Sequence, residues 1–193
     1  PVTMCRGASF DAELEEEIGH AIGREVRGHG GNLFAGVCIN LPYNPGWGRS
    51  QEVYGEDSFA LGHMGAALVR GVQDEDVMAC VKHYAANNQE TRRMTINEEI
   101  DERTLHEIYL KAFEKPVREG RPWMVMAAYN RINGEYGAES DVTLKSVLRE
   151  RWGYEGNVIT DCFGGHHLSK ALKNGLNLQM AGESAERLAE EVK

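Results

Sequence analysis

The sequence predicts an α/β protein: an incomplete TIM-type (β/α)8 barrel, about five parallel strands alternating with helices. Three observations predict it. Short apolar runs alternate with longer amphipathic ones along the 193 residues, the pattern of repeated βα units. The short runs are apolar at nearly every position, as parallel strands covered on both faces are. The first four of them deliver polar groups at or just beyond their C-terminal ends: Asn40 and a loop to Arg49, Lys82-His83, Tyr129-Asn130, and Asp161. A barrel gathers its strand ends around one mouth, whereas a doubly wound sheet lines them up in a row, so four converging ends favour the barrel. A whole barrel takes roughly 250 residues. Residues 1–193 are therefore expected to form one partial barrel domain, with at least one strand upstream of Pro1 and others after Lys193.

Each element has its own signal. Leu14, Ile18, Ile22 and Val26 recur at helical spacing and predict a first helix ending in Gly28-His29-Gly30-Gly31. That glycine turn feeds a strand, so it is a poor dinucleotide-binding fingerprint. The first strand is expected over residues 33–40. Leu61, Met64, Leu68, Val69 and Val72 form the buried stripe of a second helix, which Asp57 or Ser58 can cap. A strand over 77–82 follows. Leu105, Ile108, Tyr109, Ala112 and Phe113 mark a third helix, with Thr104 and Glu107 as a capping box and Gly120 as its end. Strands over 124–129, 157–161 and 176–180 complete the five.

Composition narrows the function. With 41% hydrophobic and 26% charged residues the chain can bury one sizeable core. Lys and Arg number 21 against 30 Asp and Glu, a net charge of −9. Nucleic acid and anionic membranes need a basic footprint, and neither is expected as a partner. The longest apolar stretches, 33–37 and 77–81, are far shorter than the roughly 20 residues of a membrane helix. Cys5, Cys38, Cys80 and Cys162 are scattered with no CxxC pair, and no Asn-x-Ser/Thr sequon occurs. A reducing, cytoplasmic setting without disulfides is the expectation. No HExxH or EF-hand spacing appears, so neither a metal nor another cofactor is expected.

The candidates for chemistry sit at the strand ends. Asp161 is a carboxylate fixed by an apolar strand, suited to be a nucleophile, base or ligand, and equally readable as a helix N-cap or a salt-bridged Asp. Lys82 is costly to bury unless it meets an acid or a substrate oxygen. It also admits Schiff-base chemistry, which needs a dry pocket, whereas His83, Asn87, Asn88, Gln89 and Glu90 make the surroundings polar. His83 reads either as a contact or as a core histidine bonded to backbone. Arg49 follows a loop with Pro42 and Pro45 and offers a rigid guanidinium fork, or an ion pair with Glu52, Glu56 or Asp57. Tyr129 is a strand-end aromatic, core or contact. Arg92-Arg93 is read as a salt-bridging pair near Glu98, Glu99, Asp101 and Glu102, and His166-His167 as a solvated helix start.

Five segments together resemble the first domain of the family 3 glycoside hydrolases, the β-glucosidase type. They are Asn44-Pro45-Gly46-Trp47-Gly48-Arg49 with Tyr54-Gly55-Glu56-Asp57; the run from Val81-Lys82-His83 to Gln89-Glu90; Asp101-Glu102-Arg103-Thr104-Leu105-His106-Glu107-Ile108-Tyr109; Met126-Ala127-Ala128-Tyr129-Asn130-Arg131-Ile132-Asn133-Gly134; and Leu148-Arg149-Glu150-Arg151-Trp152-Gly153-Tyr154 with Val158-Ile159-Thr160-Asp161. The resemblance implies that Asp161 forms a covalent glycosyl-enzyme on a β-glucoside or related oligosaccharide. Arg49, Lys82 and His83 would then hold sugar hydroxyls, with Tyr129 beside the nucleophile.

Three departures accompany it. Cys162 stands where the family usually has Trp. An upstream sugar-binding Asp of the family precedes the part that begins at Pro1. The family's acid/base carboxylate comes from a second, C-terminal domain, and the run Lys82-His83-Tyr84-Ala85-Ala86-Asn87-Asn88 lacks the second His that the family's hexosaminidase branch uses. The isolated chain is therefore expected to be a weak or inactive glycosidase. The alternatives are a non-catalytic assembly or sugar-binding module, self-associating or packing against a C-terminal domain, and a Schiff-base lyase using Lys82.

Overall fold

The structure, a computed structural model, describes residues 1–180 and 185–192. Its main sheet holds four parallel strands: β1 (Leu33–Cys38), β2 (Met78–Tyr84), β3 (Met124–Ala127) and β4 (Asn157–Thr160). Their order in space is their order in the chain. Helix α1 (Ala12–Gly28) precedes β1, α2 (Ser58–Gln73) joins β1 to β2, α3 (residues 102–120) joins β2 to β3, and α4 (Asp141–Arg151) joins β3 to β4. Helices α5 (Leu168–Lys173) and α6 (Ala185–Val192) follow. A doubly wound sheet reverses its strand order at a switch point; this one runs on without reversal, as an arc of a (β/α)8 barrel does.

Alternation along the strands separates two apolar layers. Cys80, Met124, Met126 and Ile159 pack on one face with Ala35, Met78 and Met180, the lumen side of the arc. Val37, Ala79, Val81, Val125, Ala127 and Val158 face the other way, into the layer shared with the helices. Because side chains alternate with period two, the position two beyond Cys80 is Lys82 and the position two beyond Ile159 is Asp161. The lumen rows thus lead straight to the mouth.

The expected fifth strand over 176–180 does not form. Leu178 makes a single parallel bridge to Ile159, with Asn177 and Leu178 N–H groups on the Val158 carbonyl and Thr160 N–H on that of Leu178. With one neighbour and one bridge there is no ladder to hold an extended run. The other four strands occur where the apolar runs predicted them, with shifted ends.

Helix starts follow short polar side chains that accept a free N–H. Asp11 caps α1 through Leu14 N–H at 3.0 Å, Asp57 caps α2 through Ala60 at 2.7 Å, and Ser140 caps α4 through Thr143 at 3.0 Å. The expected capping box of Thr104 and Glu107 is absent. Asp101 takes the Thr104 N–H at 3.0 Å instead, starting α3 three residues earlier, and Glu107 pairs with Arg103. Gly120 does end α3. Helix α3 contains wide turns in which Leu110 and Arg121 N–H bond Leu105 and Pro116 carbonyls five residues back.

The buried side of α1 differs from the expected stripe. Leu14 is 43% exposed, while Glu15, Gly19 and Gly23 face inward. Helices α1 and α2 cross so closely that a Cβ on Gly71 would lie 2.0 Å from the Glu16 carbonyl oxygen. Only glycine fits that crossing. Glu15 is buried beside it and is bonded at 2.6 Å by both Arg6 Nη1 and the Tyr54 hydroxyl. All four cysteines are unpaired, with Cys38 and Cys80 buried in the strands.

Candidate active site

Asp161 follows β4, and its backbone is locked by a tight turn in which Gly164 N–H bonds the Asp161 carbonyl at 2.9 Å. Its own side chain accepts the Cys162 N–H at 2.7 Å through Oδ1. The other oxygen, Oδ2, stands 3.6 Å from His83 Nε2, with the carboxylate 13% and the imidazole 2% exposed. Strand β2 supplies His83 and Lys82 in succession.

Arg49 arrives from the loop after β1. Turns closed by Trp47 N–H on the Asn44 carbonyl and Ser50 N–H on that of Trp47 fix that loop. Glu52 holds the Arg49 fork bidentately, at 2.9 Å from Nε and 2.8 Å from Nη2. The remaining nitrogen, Nη1, reaches His83 Nε2 at 3.2 Å. The ion pair and the site contact weighed as alternatives for Arg49 therefore coexist. Burial opposes the charged form of Arg49, and the Glu52 carboxylate more than restores it, leaving its pKa raised. Hydrogen bonding to Arg49 in turn holds the Glu52 carboxyl below its ordinary range.

Tyr129 is buried at the end of β3 and faces Asp161. Burial, then the negative charge and hydrogen bonding of Asp161, push the phenol up to about 12. Lys82 is half-buried and forms no hydrogen bond or ion pair among the described residues, although charged Arg49, Glu52 and Asp161 lie around it. Among the described residues no carboxylate reaches it at ion-pair distance, which leaves a substrate oxygen as the contact the sequence expectation offers. Its charged surroundings are also unlike the dry apolar pocket that a Schiff-base lysine requires.

All five residues singled out in the sequence, Arg49, Lys82, His83, Tyr129 and Asp161, thus belong to one rim. Sequence reasoning missed four others. Asn40 is buried against His83. Trp47 donates its indole N–H to Glu90 at 3.0 Å, tying the loop after β1 to the loop after β2. Glu90 also takes Arg93 Nη1 at 2.7 Å, and the Arg93 guanidinium lies 4.9 Å from the centre of the Tyr129 ring. The expected pairing of Arg93 with residues 98–102 is corrected accordingly: Glu90, three residues before it, is nearer along the loop. The signal available for Trp47, Glu90 and Arg93 was their proximity to quoted motifs; Asn40 carried the strand-end position alone.

His166 and His167 are exposed, as expected, yet both are engaged. His166 stacks on Tyr136 with ring centres 3.6 Å apart, and His167 Nδ1 lies 3.0 Å from the buried Glu139 carboxylate. A cavity of about 680 Å³ lined by Arg121, Trp123 and Tyr154 contains none of the five rim residues. The rim itself is open because the arc of four strands does not close around it.

Comparison with known proteins agrees with this geometry. Residues 1–192 match the glycosyl hydrolase family 3 N-terminal domain. The chain is 40% identical to thermostable beta-glucosidase B of Acetivibrio thermocellus, covering 100% of this chain and 26% of that protein. It is 39% identical to an exo-alpha-(1->6)-L-arabinopyranosidase of Bifidobacterium longum, over 93% of this chain and 24% of that protein. The structure of beta-glucosidase 3B from Thermotoga neapolitana in complex with glucose superposes with a TM-score of 0.93 at 42% identity, covering 100% of this chain and 27% of that one. The chain spans about a quarter of the length of the relatives it matches. With its arc of parallel strands and its polar rim, the chain belongs to glycosyl hydrolase family 3, within the N-terminal domain.

Proposed function

We propose that this chain carries the nucleophile half of a retaining β-glycosidase site that cleaves β-glucosides or closely related glycosides. One observation carries the reading: a carboxylate at a strand end, 13% exposed and 3.6 Å from a buried imidazole, is surrounded by fixed donors on Arg49, Lys82 and Tyr129. A neutral sugar needs many such donors, and an attacking carboxylate needs cationic neighbours to stay ionised.

In this reading an Asp161 oxygen attacks the anomeric carbon as the bond to the leaving oxygen breaks, giving a glycosyl ester. Water then cleaves the ester and returns the carboxylate. Lys82 and Arg49 hold hydroxyls of the sugar being cleaved, and the Tyr129 phenol, kept protonated, donates toward the Asp161 side. The leaving oxygen needs a proton from a second carboxyl group roughly 5–5.5 Å from the nucleophile. None of the described groups in contact with Asp161 is a carboxylic acid, so that proton is assigned to a residue outside the described contacts of Asp161. The arabinopyranosidase relative, as similar as the glucosidases, keeps the sugar itself within the proposal.

A 2-fluoro-glucoside with a dinitrophenol leaving group tests the reading, because departure of that group needs no proton. Incubation followed by peptide mass spectrometry is expected to place a fluoroglucosyl ester on Asp161. A folded protein labelled elsewhere, or left unlabelled, overturns the assignment.

A further inference from the structure

The contacts of His83 leave its protonation state no freedom. Asn40 is 1% exposed, and its side chain spans the His83 backbone: Nδ2 donates to the His83 carbonyl at 2.8 Å, and Oδ1 accepts the His83 N–H at 2.8 Å. A backbone N–H and a backbone carbonyl cannot exchange roles, so the orientation of this amide is settled. The atom that lies 3.2 Å from His83 Nδ1 is therefore the amide oxygen, which has no proton to give. The proton must sit on Nδ1. On the far side of the ring, Nε2 is 3.2 Å from Arg49 Nη1, which has only protons to give. Nε2 must offer a lone pair.

We infer that Asn40 is a positioning residue that, with Arg49, holds His83 as the neutral Nδ1–H tautomer and so prevents the imidazole from donating a hydrogen bond to Asp161. The ring is close enough for the alternative to matter. With the proton on Nε2, or as imidazolium, a modest shift across the 3.6 Å gap would place a further donor on Asp161, beside Cys162 N–H and the Tyr129 hydroxyl, and lower its nucleophilicity. In the Nδ1–H form the single Nε2 lone pair accepts from Arg49 Nη1, and the imidazole has no proton to offer Asp161. The surrounding charges favour a neutral ring. The Cys38 thiol on β1 is 4.0 Å from Nδ1, Lys82 precedes the ring on β2, and burial followed by the charges of Arg49, Lys82 and Arg93 sets His83 well below its ordinary pKa. Asp161 is the anion nearest the ring among the described residues, and it does not offset them.

The tautomer stands on geometry alone; its effect on Asp161 rests on the proposed function, and two measurements keep them apart. In the intact protein carrying this chain, labelled with ¹⁵N-histidine, long-range ¹H–¹⁵N spectra assigned with His83→Gln are expected to show a protonated Nδ1 and a bare Nε2. That pattern should persist between pH 5 and 8. A protonated Nε2, or an imidazolium in that range, overturns the inference whatever the protein catalyses. In the kinetic arm, Asn40→Leu is expected to lower kcat/KM for an aryl β-glucoside roughly tenfold, mainly through kcat, the loss of about one hydrogen bond of transition-state stabilisation. The variant should also gain an ionisation between pH 6 and 8 that the parent profile lacks. A folded Asn40→Leu protein with the parent profile overturns the positioning role.

Discussion

Two clusters in this molecule use nearly the same side chains and do opposite things with them. Behind helix α1, Glu15 meets Arg6 and Tyr54, both at 2.6 Å, with the carboxylate side chain 1% exposed. At the mouth, Asp161 meets His83, Tyr129 and, through the imidazole, Arg49, but its Oδ2 is 3.6 Å from the nearest cation-forming group and Arg49 is committed to Glu52. The first cluster is sealed from solvent: Glu15 Oε1 holds both a cation and a hydroxyl, while Oε2 and Arg6 Nε are buried without a hydrogen-bond partner among the described residues. The second is open to the mouth, with Lys82 beside it making no ion pair among the described residues. Residue types do not separate a structural acid from a reactive one; whether the fold seals the carboxylate away or leaves it open at the mouth does.

Substitutions break or sharpen that contrast. The largest effect is expected from Asp161→Asn, which should lower kcat at least about 10⁴-fold, as loss of a nucleophile does, while the unfolding free energy from urea titration stays within about 0.5 kcal/mol of the parent. A large loss of stability in that variant would show the mouth cluster to be structural after all. Arg6→Ala should do the reverse. Leaving Glu15 buried without its cation is expected to cost about 3–5 kcal/mol, read as a lower melting temperature with unchanged KM.

A smaller effect is expected from Lys82→Met, about 10–100-fold in kcat/KM for the loss of one charged hydrogen bond to substrate, with stability retained or slightly raised because no ion pair is broken. The smallest is a slope. Burial raises the Glu15 pKa above its ordinary 4.5 despite Tyr54 and Arg6, so the folded state holds its proton longer than the unfolded chain. That contribution is fully present below the unfolded pKa and is lost as pH rises through the folded one. Glu15→Gln should flatten this decline in stability above about pH 4.5, measured by denaturant titration at several pH values.

How much was legible follows the range of the interactions involved. The four apolar runs that became β1 to β4 were readable because a strand covered on both faces imposes its own composition. Asp161 and Lys82 were readable as site residues because period two carries a lumen row to the mouth. The run over 176–180 has similar composition, yet one bridge to Ile159 is all it makes. Composition says a segment suits a strand and cannot say that a neighbour will pair along it. Glu15 and Leu14 misled for the same reason. On a single helix the apolar residue is expected inward, and here the crossing at Gly19 and Gly71, with Arg6 and Tyr54 waiting, turned the acid inward instead.

The sequence by itself determined the alternation of strands and helices, the Asp57 cap and the Gly120 stop, and which strand ends carry reactive groups, since each depends on residues within a few positions of one another. The tertiary structure alone decided that Asn40 grips His83 from 43 residues away, that Glu52 and His83 share Arg49, and that Arg93 lies over Tyr129. Those contacts join loops from different strands. Their geometry is set by the parallel stacking of β1 to β4, which brings distant segments of the chain to one rim.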